Sequence, residues 1–133
     1  MATLTEPIRD LLDSPTFWFL GTINPDGRPQ VNPMWIDREG EYIVLNTAIG
    51  RQKEKNLRRD PRVTLSLTEP ENPYNFIEIR GEVTEYIEGE EADAQINWLA
   101  QKYVGEETYP WRKPGELRVK MLVKPTYVYH LIR

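Results

Sequence analysis

Two tight turn signals, Asn24-Pro25-Asp26-Gly27 and Asp37-Arg38-Glu39-Gly40, stand between short apolar runs in the first third of this chain. Proline presets φ for a turn and glycine accepts the positive φ that closes it. The flanking runs are rich in aromatic and branched residues, which predicts strands over 17–23, 30–36 and 41–47. Two successive hairpins make an antiparallel meander.

The rest of the chain extends the pattern. Apolar Ile8, Leu11 and Leu12 predict a helix over 5–12, with Thr5 placed to cap it and Ser14-Pro15 to stop it. After a short connection at 48–50, residues 51–59 favour helix around Leu57, and Asp60-Pro61 ends it. Val63, Leu65 and Leu67 alternate with polar residues, predicting a half-buried strand over 62–68. Residues 69–73 read as a loop, and 75–86 as a long strand in which Gly81 marks a bulge. Residues 90–103 predict a helix with Ala94, Trp98 and Tyr103 among its apolar positions. The loop at 108–114 carries Tyr109 and Trp111, available to cover something. Strands over 117–123 and 126–132 form a closing pair split by Lys124-Pro125. Six or seven antiparallel strands with three inserted helices, in one domain spanning 1–133, suit a small closed barrel better than a sandwich, and periodicity alone leaves both open.

Composition removes several function classes. With no cysteine, there is no disulfide, thiolate nucleophile or Cys-ligated metal site. His130 is the single histidine, which argues against a Ser-His-Asp triad or a multi-histidine metal centre. The apolar runs are far shorter than the roughly 20 residues of a membrane span. The first residues lack a signal-peptide pattern. The expectation is therefore a soluble, cytoplasmic protein. Charge is unevenly placed. Residues 51–62 hold six basic residues against two acids, leaving 11 basic and 19 acidic residues elsewhere in a chain of net charge −4. A basic island on an acidic protein points to a discrete anionic ligand, whereas nucleic acid usually meets a basic domain.

Arg51 and Lys53 fall in or just before the first turn of the helix that begins there. Cations are unfavourable at that end of the helix dipole, and a seated phosphate reverses the sign. Thr47 and Gly50 add a hydroxyl and an open backbone approach. The alternative reading is an exposed basic helix with Glu54 pairing Arg58 at i, i+4. In the second hairpin strand, Pro33 removes a ladder donor, so the strand is an edge or is bulged. Asn32, Pro33, Met34 and Trp35 then offer an edge to a flat heterocycle, or Trp35 is simply core. Tyr109 and Tyr129 read as packing residues, and His130 as a surface or packing residue.

Gly27-Arg28-Pro29-Gln30, Asn32-Pro33-Met34-Trp35, Thr47 with Arg51-x-Lys53, and Asn56-Leu57-Arg58-Arg59-Asp60-Pro61-Arg62-Val63 together resemble the pyridoxamine-phosphate-oxidase-like split-barrel proteins. Within them the likeness is to the flavin/deazaflavin oxidoreductase branch that uses coenzyme F420. The resemblance implies a six-stranded antiparallel split β-barrel with peripheral helices. It implies a homodimer holding two cofactors in grooves lined by both subunits. The cofactor phosphate would lie at Arg51 and Lys53 with Thr47 and Gly50 nearby, and the ring along Asn32, Pro33, Met34 and Trp35. Arg51-Gln52-Lys53 replaces the adjacent Arg-Lys pair of the pyridoxamine-phosphate oxidases, and their carboxy-terminal substrate segment has no counterpart here. Both departures point away from vitamin B6 oxidation. The implied activity is hydride transfer from reduced F420 to small electron-poor conjugated molecules such as enones, quinones or lactones. An FMN oxidoreductase and a non-catalytic flavin or haem carrier are the alternatives.

Overall fold

The computed structural model describes all 133 residues. The order is α1 (Glu6–Asp13), β1 (Trp18–Ile23), β2 (Pro29–Met34), β3 (Asp37–Glu39), β4 (Tyr42–Ala48), α2 (Gln52–Arg59), β5 (Arg62–Glu69), β6 (Asn72–Glu88), α3 (Glu90–Val104) and β7 (Arg118–Leu131). All strand pairings are antiparallel, in one sheet ordered β2-β1-β5-β6-β7-β4-β3. The expected six strands are therefore seven. The second hairpin strand breaks at Trp35-Ile36, and residues expected as a turn, Asp37 to Glu39, pair with β4 as a strand of their own. The sheet is also not closed by hydrogen bonds. Its edges, β2 and β3, are joined only through the chain at Trp35 and Ile36. Pro33 sits on the edge strand β2, where its missing N–H costs no ladder bond.

The inward side chains of every strand except β3 meet in one cluster, which includes Trp18, Leu20, Leu45, Leu65, Ile79 and Met121, together with Ile36 from the β2–β3 link. Helix α1 lays Ile8 and Leu12 into the same cluster, and both are fully buried. Thr5 precedes this helix but makes no side-chain cap bond. Asp13 instead pairs with Arg38 at 2.7 Å, fastening the helix end to β3. Helix α3 buries Ala92, Gln95, Ile96, Leu99 and Ala100, one stripe at i, i+3 and i+4. Ala94 and Trp98, expected on that stripe, lie outside it, and Trp98 is exposed.

The expected closing pair is one continuous strand, β7. Lys124-Pro125 does not interrupt it because the register shifts there: Arg80 faces Tyr127, while Gly81 faces Pro125. The extra residue forms a bulge, which accommodates a proline that cannot donate to the ladder. A second shift follows between Val83 and Glu85. Gly81 is required at the first bend. A Cβ there would stand 2.6 Å from the Lys124 carbonyl oxygen and 2.7 Å from a Val123 methyl. Gly81→Ala is expected to cost about 1–3 kcal/mol through overpacking against rigid backbone, measured as a lowered midpoint in chemical denaturation.

Candidate functional site

Strand β4 is buried on both faces, so its alternation decides what each side builds. Ile43 and Leu45 enter the core, and Thr47 follows them inward, opposite Val119. Its hydroxyl is buried and has no hydrogen-bond partner. Asn46 faces the other way, toward α3, where its amide donates to the Ala92 carbonyl at 2.8 Å. Its side-chain oxygen accepts from Arg118 Nε at 3.0 Å. Arg118 lies opposite Ala48 in the register, on the same face as Asn46. Thr47, singled out in the sequence, is thus a core residue, while its neighbour Asn46 lines the cleft.

The chain then turns through Gly50, whose φ of 101° demands glycine. Arg51 is the N-cap position of α2, in extended conformation. Glu54, buried in the first turn, reaches back to accept the Gly50 N–H at 2.8 Å, and its other oxygen accepts from Arg58 Nε at 2.8 Å. The Glu54–Arg58 pair is made, and Arg51 and Lys53 still point into a cleft. The Gly50 N–H is occupied and so is not itself free for a ligand. Fully buried Asn56 anchors the helix to β1, lying within 3.0 Å of Thr22, Asn24 and Gln52 groups.

The cleft is lined by Pro33, Met34 and Trp35 on one side and by Asn46, Arg51, Lys53 and Arg118 on the other, with Tyr109 and Trp111 at its mouth. Asn32 does not line it; it pairs with Leu20 on β1. Trp35 is half-buried and stacks on Tyr103 at 5.3 Å with an interplanar angle of 11°. The Tyr103 hydroxyl donates to Thr16 O at 2.7 Å and accepts the Ile36 N–H at 3.0 Å. Burial pushes this phenol up to about 12, so it serves as a fixed support. Tyr109 and Trp111 approach Trp35 at 6.0 and 5.9 Å, giving the cleft an aromatic wall.

Three cations line the same cleft. Arg118, almost fully buried, pairs with Glu116 at 3.2 Å and stacks over the Tyr109 ring at 5.0 Å. Arg51 reaches Glu116 only at 3.9 Å. Lys53 makes no ion pair. Burial, and then the charges of Arg51 and Arg118, push its ammonium below the usual lysine range. A half-buried, unpaired ammonium beside two guanidiniums is unfavourable by itself and becomes favourable once an anion is present. The arrangement fits a ligand with an anionic group at one end and a flat ring at the other. His130 and Tyr129 stand elsewhere: His130 lies 3.4 Å from Glu69, and Tyr129 packs beside Phe76 on an exposed strand face.

Sequence reasoning missed Asn46 and Arg118. Alternation from Ile43 and Leu45 signals Asn46, because it puts residue 47 inward and residue 46 outward. Arg118 arrives by a cross-strand register that no local pattern reveals.

Comparison with known proteins agrees with this geometry. Residues 4–131 match the family model described as pyridoxamine 5'-phosphate oxidase. Among solved structures, an F420 reductase is 35% identical with a TM-score of 0.79, covering 91% of this chain and 94% of that one. A pyridoxamine 5'-phosphate oxidase-related, FMN-binding protein from Nostoc punctiforme is 16% identical, with a TM-score of 0.68 and coverage of 98% and 84%. HutZ, the haem storage protein of Vibrio cholerae, is 16% identical, with a TM-score of 0.69 and coverage of 96% and 94%. The last two share the fold alone. A search of curated proteins found no match. No helix is long and apolar enough to cross a membrane. Matched along nearly its whole length, with an oxidoreductase among its structural relatives, the chain belongs to the pyridoxamine 5'-phosphate oxidase family.

Proposed function

We propose that this protein is an oxidoreductase that holds reduced coenzyme F420 and passes hydride to small electron-poor conjugated substrates of the enone, quinone or lactone type. FMN is the alternative cofactor. The observation that carries the reading is the unpaired Lys53 ammonium, set with Arg51 across a cleft from the Trp35 ring. The 35% identity to an F420 reductase favours the deazaflavin over FMN. For the haem-carrier reading, the one histidine is a poor support, because His130 does not line the cleft.

When bound, the deazaflavin supplies the hydride. The chain's own residues bind and orient. Arg51 and Lys53 fix the anionic end by charge-assisted hydrogen bonds. Pro33, Met34 and Trp35 give the ring an apolar floor, and Tyr103 holds the Trp35 plane from behind. Tyr109 is the hydroxyl-bearing residue at the mouth and the side chain best placed to hold a proton for the substrate.

The cleft of one chain encloses about 180 Å³, below the roughly 300–1,000 Å³ of an enclosed small-molecule site. A second subunit completes it in this reading. Phe19 and Val31, adjacent on the outer face of β1 and β2, are each more than half exposed and border a larger apolar groove. Apolar side chains exposed side by side on an edge strand and its inner neighbour suit burial against another copy. Sedimentation in solution is expected to give the mass of a homodimer.

Titration with FMN and with F420 under matched conditions tests the cofactor assignment. Micromolar FMN binding without F420 binding would overturn it. Consumption of reduced F420 with an enone or quinone separates a reductase from a carrier. Lys53→Ala is expected to weaken cofactor binding several-fold or more, through loss of a charge-assisted bond worth about 1.5–3 kcal/mol; unchanged affinity would count against the phosphate site.

Protonation of Lys53 gives a pH dependence of known sign. Its pKa in the folded protein lies below that of the unfolded chain, so charging it costs stability at any pH below the folded value, and that cost vanishes as pH rises past the ordinary lysine value of about 10.4. An anion binds the charged form and draws the pKa back up. Affinity for inorganic phosphate is therefore expected to fall as pH rises through the lowered Lys53 pKa, starting before an ordinary lysine would lose its proton. Lys53→Arg, whose guanidinium stays charged, is expected to flatten that fall; equal profiles for both proteins would contradict the assignment.

A further inference from the structure

Glu116 is not accounted for by binding or by the aromatic wall. Its carboxylate is buried, with a side-chain exposure of 8%, and stands between the two guanidiniums of the cleft, 3.2 Å from Arg118 and 3.9 Å from Arg51. The Glu116 N–H donates to Lys113 O at 3.0 Å, and its carbonyl accepts from Arg112 Nη2 at 2.9 Å. Arg112 is itself tied to Asp93 on α3 at 2.9 Å. The Tyr109 N–H is held by the Asn97 side chain at 2.9 Å. These contacts hold the Glu116 backbone beside the cleft, with its carboxylate on Arg118.

The guanidiniums it touches are incompletely satisfied. Arg118 spends Nε on Asn46 and Nη1 on Glu116, leaving Nη2 with no protein partner. Arg51 has only the long contact, which is outside hydrogen-bonding range. We propose that Glu116 is the resident counter-anion of the cleft, competing with the anionic group of a phosphate-ester ligand for Arg51 and Arg118. This rests on reading the cleft as a phosphate-ester site. Its consequence is a cofactor that dissociates between turnovers. The free site keeps part of its charge neutralised, so emptying it leaves fewer bare cations, and a bound phosphate feels a like charge a few ångströms away. Glu116 therefore sets affinity without itself binding ligand.

Inorganic phosphate followed by phosphorus NMR titration tests this in wild type, Glu116→Gln and Lys53→Ala. Glu116→Gln keeps the side-chain shape, removes the charge, and is expected to tighten phosphate binding roughly tenfold, the order expected for one unit charge at this range in a partly solvated site. Lys53→Ala is expected to weaken it. If Lys53→Ala binds as wild type does, the phosphate-site reading itself fails. If Lys53→Ala weakens binding while Glu116→Gln leaves it unchanged or weaker, the counter-anion proposal alone is overturned. Should the glutamine variant fold poorly by circular dichroism, Glu116→Ala takes its place with the same expected direction and the same overturning result.

Discussion

Lys53 carries a charge that no carboxylate of its own chain neutralises, in a place where water only half-solvates it. Folding puts it there. Asn56 anchors α2 against β1, and Glu54 locks the preceding turn through the Gly50 N–H, which fixes the direction of the first helical turn and leaves Lys53 half-buried, while the Arg51 side chain stays partly exposed. Arg118, brought in from the far end of the chain, adds a third positive charge to those of Arg51 and Lys53 in the same cleft. Like charges are held together here by the surrounding polar network. Buried polar groups left partly unsatisfied are costly, and their presence in a well-packed protein is the usual physical mark of a binding site.

The same strands that make the core make the site. On β4, odd-numbered Ile43 and Leu45 join the barrel cluster, while Asn46 turns toward α3 and the cleft. On β2, Met34 is buried and neighbouring Trp35, just past the strand end, is free to stack on Tyr103. Because the sheet remains open between β2 and β3, the short Trp35-Ile36 link can carry an aromatic wall that a closed barrel would have tied into its ladder. The opening of the sheet and the position of the cleft therefore have one cause.

Much of this was legible in the amino-acid order. The Asn24–Gly27 turn predicted the first hairpin, Pro33 marked an edge strand, Gly81 marked a bulge, and Arg51-x-Lys53 marked the cleft. What escaped depended on distant partners. Lys124-Pro125 looked like a break, because the bulge that absorbs the proline is made with Gly81, more than forty residues earlier. Asp37 to Glu39 looked like a turn, since only pairing with β4 makes three charged or acidic residues a strand. Thr47 looked available because its hydroxyl suits phosphate, whereas its direction follows from the alternation of Ile43 and Leu45. Arg118 was invisible for the same reason as the bulge: cross-strand register is a property of the folded sheet.

A crystal structure of the protein grown with F420 tests the central claim most directly. The account requires density for the cofactor phosphate within hydrogen-bonding distance of Lys53 Nζ and the Arg51 guanidinium, with the deazaflavin ring lying along Pro33 to Trp35. Cofactor bound on another face, with the Lys53 ammonium touching solvent alone, would contradict it.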